Sequence, residues 1–231
     1  KKHLFEGFQQ DKIIEKFEDE PANIIPPIHP ITGIIGFPDN SIHNNHPVEN
    51  VIDGVDDKKY LNTSGNDSGF IIKPGIGSTI ITGLKLKSAN DHIERSPKEV
   101  EIFGSNNSSE ILNLSPDDDD WISIVTFSGK NEFNFKYNFY TIEKKFKNSI
   151  SYDNYKFVVN KTQQETGSMQ ITNVELLGIT KAVADCAASA ASAASKIAFE
   201  KEQRDIANAT ASKCVAARDK LAEQLDAANV T

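Results

Sequence analysis

Residues 180–231 contain neither glycine nor proline. They are rich in alanine, with lysine, glutamate, glutamine, arginine and aspartate between. Alanine loses the least on entering a helix, and nothing in this stretch interrupts one. The stretch predicts a helix of some 48 residues, about 70 Å long at roughly 1.5 Å per residue. Such a rod lacks a wide apolar face and is too long to be held by one small domain. It is expected to pair with itself or with other chains. Two seven-residue series support pairing. One runs Val183, Ala190, Ile197, Arg204, Ala211, Arg218, Leu225, and the other Cys186, Ala193, Glu200, Ala207, Cys214, Leu221, Ala228. They resemble the a and d positions of a coiled coil, with breaks at Glu200, Arg204 and Arg218. Phe199 and Ile206 fall on another stripe, where the register would shift. Cys186 and Cys214 lie 28 residues apart, four heptads, so in a parallel bundle each would face its counterpart. A hairpin near Glu200 would pair them within one chain instead, and unpaired thiols packed as small hydrophobes are the third reading.

The whole chain has 231 residues and 25.4 kDa, enough for one medium domain with extensions or two small domains. Its net charge of -8 and pI of about 5.2 argue against nucleic acid, which needs a concentrated basic surface. No apolar run approaches the roughly 20 residues of a membrane-spanning helix. The chain starts Lys1-Lys2-His3 with no Met and no apolar leader, which reads as a processed or trimmed product. Two cysteines are too few for a disulfide scaffold or a four-thiolate zinc site. The histidines form no HExxH pair, and no GxSxG, P-loop or GxGxxG occurs. A catalytic role is therefore not expected.

Composition divides the chain into three parts. Residues 1–45 read as an irregular Pro-rich arm. Phe5, Phe8, Ile13, Ile14 and Phe17 suit one short amphipathic helix. After it, Pro21, Pro26, Pro27, Pro30 and Pro38 argue against any regular element. The arm either lies on something or is a flexible linker. Residues 46–179 read as all-β. Short β-forming runs include Phe70–Ile72, Thr79–Ile81, Leu84–Leu86, Val100–Phe103, Trp121–Val125, Tyr155–Val159 and Met169–Leu177. Turn residues separate them, as in a sandwich or barrel. Residues 180–231 are the helical stalk.

Within the β region, Asp117–Asp120 could gather cations but reads better as a solvated loop. Phe133, Phe135, Tyr137 and Phe139 alternate with polar residues, which places them on one face of a strand, as core or as an outward aromatic patch. Trp121 opens an apolar strand and reads as core. Sequons at Asn62, Asn66, Asn107 and Asn160 say little in an Asn-rich chain.

Several segments of this region, taken in order, resemble one family. They are Val51-Ile52-Asp53-Gly54 with Lys59-Tyr60-Leu61-Asn62, and Ile81-Thr82-Gly83-Leu84-Lys85-Leu86-Lys87-Ser88-Ala89-Asn90-Asp91 with Glu94-Arg95-Ser96-Pro97. Val100–Asn106, Trp121–Ile124, Tyr155–Phe157, Ser168–Ile171 and Val174–Gly178 follow. The set, over about residues 46–178, resembles the discoidin or coagulation factor 5/8 C-type (galactose-binding-like) domain. The resemblance implies an all-β, eight-stranded jelly-roll sandwich, usually non-catalytic, whose loops at one end bind sugars, phospholipid or protein. It does not extend to the arm or the stalk.

By the same resemblance, calcium is a candidate cofactor. Asp53, Asp56 and Glu175 are its carried-over ligands, with backbone oxygens near Asn50, Asp56 and Asn62. Lys58 departs from the threonine common in relatives. The implied ligand-binding residues are Tyr60, Asn90, Asp91, His92 and Arg95, with Asn66 as a further loop candidate. Against this, Glu94-Arg95 could pin a loop and Asn90-Asp91 could be turn chemistry. The reading is a non-catalytic surface recognition or adhesion module for carbohydrate or glycoconjugate, tethered by the stalk to a larger assembly or homo-oligomer. It would sit outside the cell, on a cell surface or on a virion. The alternative is a purely structural part of a virion or cell-surface fibre. Phe5-Glu6-Gly7-Phe8 and Glu15-Lys16-Phe17-Glu18 faintly resemble segments in structural proteins of large DNA viruses. A glycosidase would need two carboxylates about 5 to 10 Å apart across a cleft, and the head has no room for a catalytic domain.

Overall fold

The computed structural model describes residues 26–129, 132–164 and 167–228, the last eight of these by backbone alone. The helix expected around Phe5–Phe17 lies outside the described residues. Two units divide the chain, residues 1–181 and 182–231.

Ten strands form the first unit. They are β1 (Ile31–Phe37), β2 (Tyr60–Asn62), β3 (Ser68–Pro74), β4 (Thr79–Lys87), β5 (Pro97–Ser105), β6 (Ile122–Phe127), β7 (Thr141–Lys145), β8 (Asn154–Thr162), β9 (Met169–Ile171) and β10 (Asn173–Thr180). All pairings are antiparallel. A five-stranded sheet has the order β1-β3-β8-β5-β6, a three-stranded sheet β10-β4-β7, and β2 pairs with β9.

The sandwich follows from side-chain alternation. Phe70 and Ile72 of β3, Tyr155, Phe157 and Val159 of β8, and Val100 and Ile102 of β5 enter one core with Leu84 and Leu86 of β4 and Val174 and Leu176 of β10. Phe70 and Phe157 stack at 4.8 Å. On the outer side of the five-stranded sheet, Phe37, Ile71 and Leu114 form a smaller cluster against which Trp121 packs.

The structure redraws three expectations. The Pro-rich stretch is not irregular throughout. Pro30 and Pro38 bracket β1, an edge strand needing only one hydrogen-bonding partner, and proline is tolerated there. Upstream, Ile28 N–H donates to Leu176 O at 2.8 Å and Gly178 N–H to Pro26 O at 2.9 Å. The sandwich therefore takes in residues well before 46. Second, Met169–Leu177 is two strands. Thr172 N–H donates to Lys87 O at 2.9 Å, and the chain changes sheet there. Third, residues 133–139 are not a strand but turns and bends.

The second unit is helical: α1 (Lys181–Ala228), which begins at the last residue of the first unit, is one unbroken helix of 48 residues. Cys186 and Cys214 are both free and exposed. A continuous helix holds them about 40 Å apart at roughly 1.5 Å per residue, so the hairpin reading fails. Nothing in the alanine-rich run breaks the backbone ladder.

Candidate functional site

One end of the sandwich gathers the connections 38–59 and 88–96 and residues 132–140. Ser88 and Ala89, both fully buried, latch the second to the third. Ser88 N–H donates to Tyr140 O at 3.0 Å. The Ser88 hydroxyl donates to the Tyr137 carbonyl at 3.0 Å and accepts from Tyr140 N–H at 2.8 Å. Phe139 N–H donates to Ala89 O at 3.1 Å, and the Asn138 amide donates to Asn90 O at 2.8 Å. These bonds replace a strand ladder, which is why the period-two aromatics do not share a face. Phe133 and Phe135 enter the core, while Tyr137 is 62% and Phe139 41% exposed. Phe139 adopts a left-handed φ of 57°, and Lys87 Nζ lies 5.7 Å from its ring centre.

The 88–96 connection carries Asn90, Asp91, His92 and Arg95, so the structure does bring these candidates to one place. Asp91 is its anchor. Lys59 Nζ donates to Asp91 Oδ1 at 2.5 Å and the Gln170 amide to the same oxygen at 3.0 Å. Gln170 also donates to the Asp91 carbonyl and, at 3.1 Å, to that of His92. Lys59 and Gln170 are buried. Burial pushes the Asp91 carboxyl up, but the Lys59 and Gln170 donors outweigh it and hold it below its ordinary value. His92, left-handed at φ 44°, places Nδ1 2.8 Å from Glu94 Oε1. The Glu94 carboxyl is held low by its own backbone N–H and then by His92. Arg95 N–H donates to His92 O at 2.9 Å, and its guanidinium makes no hydrogen bond to the described residues. Asn90 and His92 are exposed and Arg95 is half-buried.

Tyr60 is a correction. It is wholly buried, donates to Gly69 O at 3.1 Å and accepts from the Asn62 amide at 3.0 Å. Burial pushes its hydroxyl up to about 12. It cannot be a sugar platform, because the core claims its ring. Asn66 is half-buried in the β2–β3 loop, and its buried Oδ1 finds no partner among the described residues. Two site residues carried no sequence signal: His43 and His46 stack at 5.0 Å. Burial first, then Lys59 and His43, lower the His46 imidazole against the pull of Asp91.

No protein-family model and no curated protein matches the chain. Solved structures do. The CBM32-1 and CBM32-2 domains of Clostridium perfringens ZmpB superpose with a TM-score of 0.52 at 13% identity, over 74% of this chain and 40% of that one. The same pair of domains in complex with GalNAc gives a TM-score of 0.50 at 18% identity, over 65% and 35%. The sandwich has the discoidin, or galactose-binding-like, fold. The chain spans well under half the length of those ZmpB structures.

The discoidin-like resemblance implies calcium at Asp53, Asp56 and Glu175, and these residues do not fit it. Lys58 Nζ lies 3.0 Å from Asp53 Oδ2, Lys87 Nζ 2.6 Å from Asp56 Oδ2, and Lys85 Nζ 3.3 Å from Glu175 Oε2. Asp53 Oδ1 accepts from Val55 N–H at 2.8 Å, a turn closure. Among the described residues no three His, Cys, Asp or Glu side chains cluster.

Proposed function

We propose that the discoidin-like sandwich is a non-catalytic carbohydrate-recognition module and that α1 tethers it to a larger assembly outside the cell, on a cell surface or on a virion. The observation that carries this reading is the exposed Tyr137 and Phe139, held by hydrogen bonds to the 88–96 connection that carries Asn90, His92 and Arg95. Sugars are recognised by an aromatic face that covers their C–H surface and by planar polar groups that match hydroxyl pairs. The likeness to a fold-mate solved with GalNAc supports the same reading. Calorimetry with GalNAc and a glycan array test it. Phe139→Ala and Tyr137→Ala are each expected to weaken binding about tenfold, equivalent to roughly 1.4 kcal/mol. No bound glycan, or binding indifferent to both substitutions, refutes the assignment.

A second reading, a structural part of a particle or fibre, is favoured by the helix. Val183, Ile197, Phe199, Ile206 and Val215 are all about half exposed or more. Apolar side chains at such exposure are what a self-associating rod would cover.

A further inference from the structure

We infer that lysine ammonium groups, and not a divalent cation, hold the three carboxylates here: Lys87 ties the 52–57 loop to the three-stranded sheet, while Lys85 and Lys58 occupy the other two carboxylates. This goes beyond sugar recognition and stands whether or not a sugar binds. The residues occupy two cross-strand rows. In one, Lys87 pairs in register with Asn173 and Thr141; in the other, Lys85 pairs with Glu175 and Glu143. Lys87 reaches from its row to Asp56 in the loop, Lys85 crosses to Glu175, and Lys58 closes back on Asp53 within the loop itself. Three negative charges thus meet three positive ones. A calcium ion wants six to eight oxygens. Here it would have to strip three ammonium partners and one backbone N–H. Asp56, Lys85, Lys87, Asn173 and Glu175 line one shallow cavity of about 210 Å³.

Two measurements on the full chain test this. Calorimetry with calcium chloride alone is expected to show no binding, and the melting temperature to be the same in excess chelator and in millimolar calcium. A calcium-dependent rise in melting temperature, or calcium uptake, overturns the inference. Lys87→Gln is expected to melt below the wild type at low ionic strength. That gap should close in high salt, since partly exposed ion pairs are screened. A variant that melts with the wild type, or a gap that salt leaves untouched, overturns it as well. The calcium arm uses unaltered protein and stands even if the variant does not fold.

Discussion

Lys156 is only 8% exposed. Its ammonium donates to Pro116 O at 2.7 Å and sits 4.3 Å above Phe103 and 5.2 Å above Trp121. Burial lowers its pKa, while Asp117, Glu101, Asp118 and Asp120 push the other way. The acidic run lies near this ammonium and is held by its own bonds, Asp118 accepting from Ser115 N–H and Asp120 from the Ser105 hydroxyl. Lys156→Met should destabilise the fold by about 1–3 kcal/mol by urea titration, because the Pro116 carbonyl loses its donor. Two titrating side chains at the tip make a pH prediction. Both His46 and Asp91 sit below their ordinary values, so the unfolded chain binds each proton more readily. The His46 contribution is complete above its unperturbed 6.5 and drains as pH falls below it. The Asp91 contribution is present above 3.8 and is lost as pH falls through its lowered native value. Urea midpoints across pH for His46→Gln and Asp91→Asn should flatten these two windows respectively; a curve parallel to the wild type in either window refutes that assignment. The sequence placed Asn90, Asp91, His92 and Arg95 together because they are neighbours in the chain. It misplaced Tyr60 because its burial depends on a three-residue strand whose partner, β9, lies more than a hundred residues away.

At the level of elements, legibility tracks burial. β3, β4, β5 and β8 announce themselves through apolar runs or alternation, since their faces must enter the core. β7, with the sequence TIEKK and an exposed–half-buried alternation, shows almost none of this. It is an edge strand held by backbone bonds to β4 alone. The aromatic run 133–139 has perfect strand spacing, but spacing cannot reveal that Ser88 and Ala89 capture its backbone. Where β3 meets β8, only glycine fits. A Cβ at Gly69 would stand 1.8 Å from Phe157 O, far inside contact distance. Gly69→Ala should force the central pairing apart, and circular dichroism melting should show a loss larger than the about 1 kcal/mol typical of a point substitution. In α1 the logic reverses. A helix this rich in alanine is legible at sight, while its lack of a single apolar stripe leaves its partner unspecified. Val183, Ile197 and Val215 fall on one side and Phe199 and Ile206 on nearly the opposite one, by the 3.6-residue turn.

For the molecule as a whole, an oligomer is expected if the helix pairs with its own kind. Sedimentation or light scattering at micromolar protein should then return a multiple of 25.4 kDa, and mild oxidation should link copies through Cys186 and Cys214. A monomer under all conditions would remove the self-pairing proposal and leave the tether without a demonstrated anchor. The sandwich itself has two unlike ends. β5 starts beside the 88–96 connection and finishes at Ser105, where Trp121 lies a residue before the pairing of Ile122 with Gly104. Trp121 is the chain's single tryptophan. Its indole donates to Ser115 O at 2.8 Å and roofs the outer cluster, a strand's length from Tyr137 and Phe139. Emission from that lone indole, excited apart from the tyrosines, will follow the lifting of the roof when the protein unfolds, and will stay dark to whatever docks at the opposite pole.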